Sequence, residues 1–320
     1  MGLYQNIVNP RFWVPITPYL KQTNSISVES DTIDGVSRLI DLDPYDPVIM
    51  NIQEHTITFR FSDTSWIDES QKYFIGMLGQ KFASDIEGDI KFNEIDNQQF
   101  YSGGFESFNH STSLGLKPEY NGLYLREFFI KDSETLSFTF TCNKLTSLGS
   151  FFIGKVYDST EIPQSPNADV NFIRSYNNNK TVTDAGLQYS NSHYMTTPIA
   201  KFYEMNDNDN QLNGRSDLRS WDLSYSNINE QKLFSKSDSL NVVDSNQTEI
   251  ETYNFYKDNN VFTQLIHFTQ GDALPFIFQS DENNFMPDQF ALCRFGVPEF
   301  TIERDSLNTY RYSISVLEEF

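Results

Sequence analysis

The stretch Leu136-Ser137-Phe138-Thr139-Phe140-Thr141-Cys142 decides the fold class. Leu136, Phe138, Phe140 and Cys142 recur at every second position, with Ser137, Thr139 and Thr141 between them. A helix would scatter these apolar residues around its axis. An extended chain gathers them on one face, because its successive side chains point to opposite sides. The same alternation appears on either side of this stretch. Ile57, Phe59 and Phe61 alternate with Thr56, Thr58 and Arg60; Trp221, Leu223 and Tyr225 with Asp222, Ser224 and Ser226; Tyr310, Tyr312, Ile314 and Val316 with Arg311, Ser313 and Ser315. Aromatic and β-branched residues at a period of two predict antiparallel strands with one face on a core and the other in water. Leu274 to Phe278 is apolar throughout, as in a strand covered on both faces.

Two segments follow a different period. Trp66, Tyr73, Phe74, Met77 and Leu78 recur at helical spacing, with Ser65 and Asp68 suited to an N-terminal cap and Gly79 placed to end the helix. Val261, Phe262, Leu265 and Ile266 form a second apolar stripe, begun near Asp258 and stopped by Gly271. The expected class is mainly β, of the β-rich α+β kind: antiparallel sheets or a sandwich, two short helices and long polar loops. The polar stretches Asn24 to Pro47, Asp158 to Asn179, Asn206 to Gly214 and Ser235 to Thr248 are rich in Asn, Ser and Asp. Compact domains rarely carry loops beyond about 12–15 residues unless the loops bind something, so these read as arms resting on neighbours. Asp158 to Pro166, holding Pro163 and Pro166, reads as a linker between an N-terminal β-rich domain, residues 1–160, and a C-terminal one, residues 161–320.

At 320 residues the chain can bury a sizeable core, and its 28 Phe and 17 Tyr distinguish it from aromatic-poor disordered chains. Its 23 Lys and Arg face 44 Asp and Glu, a net charge of −21, and no window gathers the basic residues into a run. Nucleic acid and anionic membrane are therefore not expected as partners. Residues 1–20 lack a basic segment followed by an apolar one, so no secretory signal is expected. Asn6 stands where an N-myristoylation signal wants Ser or Thr. No apolar run approaches the roughly 20 residues that span a bilayer. A soluble product of a cytoplasm is expected, in which the sequons at Asn109, Asn179 and Asn246 carry no glycan.

The usual chemical signatures are missing. No phosphate-cradling Gly-rich loop, nucleophile elbow, HExxH or dinucleotide fingerprint occurs. Cys142 and Cys293 form no CxxC and lie in strand-like apolar stretches, where buried inert thiols are expected. His55, His110, His193 and His267 are not spaced as ligand pairs; His55 and His267 read as packed side chains beside apolar residues. The run Asn206 to Asn210 alternates Asn and Asp like a calcium loop, but the frame from Asp207 puts Leu212 where the turn Gly belongs. The frame from Asp209 puts Ser220 in place of the bidentate Glu. Ser102-Gly103-Gly104 reads as a turn. No catalytic, cofactor-binding or metal residue is assigned. Trp66 and Trp221 are expected in the core. Trp13, in the proline-bounded segment Asn9 to Pro15, cannot bury itself locally and is expected to dock either on its own domain or on a neighbour, with the neighbour slightly preferred.

Several segments of the second half resemble a known group. They are Phe152 to Asp158, followed by Ser165-Pro166-Asn167 and Arg174-Ser175-Tyr176; Arg219 to Ser226; Gly271 to Gln279; Phe290 to Phe295; and Asn308 to Glu318. In order and spacing they resemble virion proteins that recur in tailed bacteriophages, particularly marine ones. The final section is also similar, more loosely, to the closing part of distal-tail and baseplate proteins: a helix, an apolar strand, then strands ending in a charged tail. The resemblance implies a non-enzymatic structural subunit of the tail or baseplate, one copy in a ring, found in the virion. Its partners would be other virion proteins and copies of itself. The resemblance brings no catalytic residues. The high negative charge would keep such a subunit from adhering to packaged DNA. Two other readings stand beside it. One is an adsorption module that binds host surface glycan through aromatic and Asn/Asp-rich loops. The other is a polysaccharide-cleaving enzyme, for which no carboxylate pair is singled out and no β-helix repeat is visible.

Overall fold

A computed structural model describes residues 7–41, 46–51, 53, 55–68, 71–78, 81–82, 89–94, 108–109, 123–128, 136–142, 145–159, 162, 166–173, 178–182, 188–192, 218–229, 233, 261–284, 289–296, 301–306 and 309–319. The chain opens with β1 (Arg11–Pro15), helix α1 (Thr17–Gln22), β2 (Ile26–Glu29), a 3-10 turn (Val36–Ile40), β3 (Val48–Ile49) and β4 (His55–Phe61). It continues through β5 (Tyr73–Leu78), β6 (Lys81–Phe82), β7 (Asp89–Glu94), β8 (Phe108–Asn109), β9 (Leu123–Phe128), β10 (Leu136–Cys142), β11 (Leu145–Leu148) and β12 (Ser150–Tyr157). After these come β13 (Asn167–Ile173), β14 (Asn178–Val182), β15 (Gln188–Ser192), β16 (Leu218–Asn229), helix α2 (Val261–Thr269), β17 (Phe276–Gln279), β18 (Phe290–Phe295), β19 (Thr301–Ser306) and β20 (Thr309–Glu318). The fold is mainly β, and all its strand pairings are antiparallel among the described residues.

A ten-stranded sheet forms the frame, in the order β13-β16-β20-β18-β17-β1-β12-β5-β9, with β19 also on β20. A second sheet runs β2-β4-β10-β7-β8, and smaller ones join β3-β11-β6 and β14-β15. The alternation read from sequence is seen directly. In β4, His55, Ile57, Phe59 and Phe61 are buried while Thr56 and Arg60 are exposed. In β16 and β20, Trp221, Leu223, Tyr225, Tyr312, Ile314 and Val316 are buried, with Asp222, Arg311 and Ser313 in water. The deciding stretch, residues 136–142, is β10, pairing with β4 on one side and β7 on the other. Phe276, Ile277 and Phe278 in β17 are buried on both faces, as expected of a wholly apolar strand.

The main core lies between one face of the large sheet and the elements stacked on it. The second sheet covers one part of that face, where the Phe59 and Phe151 rings stack 3.7 Å apart. Helix α2 covers another part, setting Phe262 against Tyr225 and Tyr312 at ring distances of 5.2 and 4.5 Å. Leu20 of α1 and Val36, Leu39 and Ile40 of the 3-10 turn fill the same cluster. A smaller cluster sits on the opposite face of the large sheet, built from Trp13, Phe74, Leu78, Leu125, Phe152, Val156, Ile277 and Phe290.

Three readings change or gain definition. The expected helix from Trp66 to Leu78 is a turn followed by strand β5. Trp66 belongs to the turn, its indole N–H donating to the Asp63 carbonyl, and the Tyr73 hydroxyl donates to the Trp66 carbonyl. Tyr73 to Leu78 is buried on both faces, Tyr73, Ile75 and Met77 toward the main core and Phe74 and Leu78 toward the other. Burial on two faces removes the period of two, and the surviving apolar spacing imitates a helix. Gly79, assigned to end that helix, lies outside the described residues, as does Asp258 at the start of the second. That second helix is present as α2, ended by Gly271 at φ 72°, whose N–H donates to the Ile266 carbonyl. The expected boundary near residue 160 falls between β12 and β13, and strands from either side of it share the large sheet.

Candidate functional site

The segments that carry the phage resemblance converge in space. Residues 219–226 lie in β16, 309–318 form β20, 290–295 form β18, 276–279 form β17 and 152–157 lie in β12. In the large sheet these strands are consecutive, β16-β20-β18-β17-β1-β12, with β1 the one insertion from elsewhere in the chain. Pro166 and Asn167 lie at the start of β13, while Arg174, Ser175 and Tyr176 lie outside the described residues.

β1 is the joint of this block. Phe12 and Trp13 pair with Phe278 and Ile277 on one side and with Tyr157 and Val156 on the other. Trp13 is 2 % exposed; its ring meets Phe74 edge-on at 5.4 Å, and its indole N–H donates to Gln279 Oε1 at 3.3 Å. The expectation that this segment docks preferentially on a neighbour is therefore corrected: it completes the sheet of its own chain. Pairing on both edges satisfies the backbone of β1, and the cover for its aromatic side chains comes from strands distant in sequence.

A charged cluster clamps the outer end of β1. Arg11 donates to Glu127 of β9 at 2.6 Å and lies 3.7 Å from Asp158 and 3.9 Å from Glu282. Lys72 pairs with Asp158, and Glu282 accepts from Ser159 Oγ at 2.8 Å and from Asn9 Nδ2 at 3.3 Å. Burial raises the Glu127 carboxyl above its ordinary value, and the attraction of Arg11 and Lys72 only partly offsets that rise. At the other end of the block, Arg219 grips Glu318 with two parallel bonds of 2.8 Å and stacks over Trp221 at 5.0 Å. Both clusters join strands distant in sequence. Among the described residues, no group of three His, Cys, Asp or Glu is arranged to hold a metal.

The molecule also carries an open groove of about 450 Å³ between α1 and the C-terminal end of α2. Its floor is the partly buried Tyr19 and Ile266 with Leu274, and its rim carries exposed Gln22, His267 and Gln270. The rim is set by backbone bonds: Gly271 N–H to Ile266 O at 2.9 Å and Leu274 N–H to Thr269 O at 2.8 Å. Gln270 holds φ at 52°, a left-handed conformation that a non-glycine residue adopts only when its surroundings impose it. None of the residues lining the groove carries a fixed charge, on a chain of net charge −21.

The residues weighed from sequence are dispersed. His55 is 1 % exposed, its Nε2–H donating to the Asn51 carbonyl and its Nδ1 accepting from the Thr32 hydroxyl, at 2.8 and 2.9 Å. Cys293 is a buried free thiol, its acidity suppressed by that burial. Cys142 lies in β10, its side chain outside the described residues. Trp66 and Trp221 are core residues, 1 % and 0 % exposed. His110, His193, Ser102 to Gly104 and Asn206 to Asn210 lie outside the described residues. His267 sits on the groove rim. Sequence reading did not find Tyr19, Gln22 and Gln270, and the one available signal was the Gln270-Gly271 helix stop. No signal pairs Arg11 with Glu127, 116 positions away.

No protein-family model matches the chain, and no curated protein matches it. Among solved structures, two botulinum neurotoxin chains show slight likeness. One comes from work titled "Cell entry of botulinum neurotoxin type C is dependent upon interaction with two ganglioside molecules", with a TM-score of 0.21 and 11% identity over 92% of this chain and 89% of that one. The other is the binding domain of botulinum neurotoxin DC in complex with SialylT, with a TM-score of 0.22 and 11% identity over 92% of this chain and 90% of that one. Likeness this slight informs neither fold nor ligand.

Proposed function

We propose that this chain is a non-enzymatic structural subunit of a tailed-phage virion, assembled in a ring in the tail or baseplate. The observation that carries this reading is the adjacency of the resembling segments. Of five stretches separated along the chain, four become neighbouring strands of one sheet and the fifth, β12, lies one strand away across β1, so the likeness follows a packed unit, beyond a scatter of short words. The order of helix, apolar strand and closing strands in α2, β17, β18, β19 and β20 accords with the looser likeness to distal-tail proteins. Assembly would draw on strand addition at sheet edges. Among the described residues, β9 and β13 each pair on one side only and are the ends of the large sheet. The chain's acidity would hold it off packaged DNA.

The test is location. Peptide mass spectrometry of purified particles should recover the protein at a fixed copy number per virion, and a particle reconstruction should place it in a tail or baseplate ring. Its absence from particles that contain the other tail proteins would end this reading.

A further inference from the structure

We propose that the groove between α1 and α2 is a binding site for a neutral oligosaccharide. The inference is independent of the virion reading, since it concerns the isolated chain. At about 450 Å³ the groove falls within the range of small-ligand sites. Its lining fits the two-sided character of a pyranose ring. The Tyr19 ring with Ile266 and Leu274 provides a floor for the ring's C–H face. Tyrosine suits this place because it presents an apolar body with a polar tip. Gln22 and Gln270 each offer one carbonyl acceptor and two N–H donors, the pattern that bridges adjacent hydroxyls, and the exposed His267 adds a further ring nitrogen.

Charge selects within the saccharides. A sialylated or sulfated chain would meet no cation among the lining residues and would be opposed by a protein of net charge −21. A cationic ligand would find no carboxylate among them. Neutral hydroxyl-rich ligands are what the lining can satisfy. The backbone bonds that close α2 hold Gln270 at φ 52°, which fixes the direction in which its side chain leaves the rim, while the amide itself becomes ordered on binding.

The test is titration of the full chain by ligand-observed NMR against neutral tetrasaccharides of glucan, galactan, mannan and N-acetylglucosamine type, with sialylated and sulfated counterparts. At least one neutral tetrasaccharide should bind, and its charged counterparts should bind more than tenfold more weakly. Tyr19→Ala should reduce binding more than tenfold, while Tyr19→Phe keeps it within threefold, because the ring and not the hydroxyl makes the floor. Gln270→Gly relaxes the left-handed backbone, so it folds at least as well as the parent, and it should weaken binding about tenfold. Failure of every neutral tetrasaccharide at millimolar concentration would overturn the proposal. So would tighter binding of the charged counterparts, or affinities unmoved by Gln270→Gly and Tyr19→Ala. Loss of this binding would leave the location test of the virion reading untouched.

Discussion

Gly154 and Gly76 are the residues where the large sheet tolerates no side chain. A methyl group at Gly154 would stand 2.1 Å from the Val14 carbonyl oxygen and 2.5 Å from the Phe74 ring; at Gly76 it would meet the Phe152 ring at 2.1 Å. The difference lies in what must move, since backbone of a doubly paired strand yields less than a ring. Overpacking a core costs about 1–3 kcal/mol. Gly154→Ala should sit at the upper end of that range and Gly76→Ala below it, read by urea denaturation. Adding Phe152→Leu should recover part of the Gly76→Ala loss and none of the Gly154→Ala loss. Glu127 gives a second test. Its carboxyl is raised in the fold, so the folded state holds the proton more tightly than the unfolded chain. That contribution is present below the unfolded value, near 4.3, and is lost as pH rises through the folded one. Glu127→Gln lacks this loss. Its stability relative to the parent should therefore climb as pH rises from the unfolded value through the folded one and then level, as measured by unfolding at each pH. A flat difference would mean that the Arg11 pair fully offsets the burial of Glu127.

Elements were legible where one face meets water and illegible where neither does. β4, β16 and β20 announce themselves because Arg60, Asp222 and Ser313 stay exposed between buried neighbours. β5 has no exposed residue to mark its period, so Tyr73 to Leu78 could be read as a helix face. α2 was readable because its apolar stripe ends in a glycine with a structural duty at φ 72°. β1 shows the limit of local reading. Its need for a docking place follows from Phe12 and Trp13, but the place itself is made by β12 and β17, which no neighbouring residue reveals. The candidate groove is hidden for the same reason, since Tyr19 and Gln270 meet only through the packing of α1 and α2 on the sheet. Because β1 is internal, Trp13→Ala should cost about 3–5 kcal/mol, the range for emptying a buried aromatic site. A comparable change on an edge strand should cost less. Thermal unfolding of the variant should stay a single cooperative transition at a lower midpoint, because the sheet on both sides of β1 loses its joint together.

At the scale of the molecule, 44 acids against 23 bases make the folded state self-repelling. Raising NaCl from about 20 to 150 mM shortens the screening length to about 8 Å and should raise the melting temperature. A fall would mean that the Arg11 and Arg219 clusters contribute more than the general repulsion costs. The joint made by β1 also bears on how the chain is made. Trp13 and Gln279 touch across 266 positions. At the usual pace of translation, that distance separates their emergence from the ribosome by roughly 13–50 s. Through that interval the first strand has no β17 to lie against. β12 emerges earlier and can pair with one edge of β1, but Phe12 and Trp13 lack Phe278 and Ile277 on the other edge, and the frame closes only when the far strands arrive.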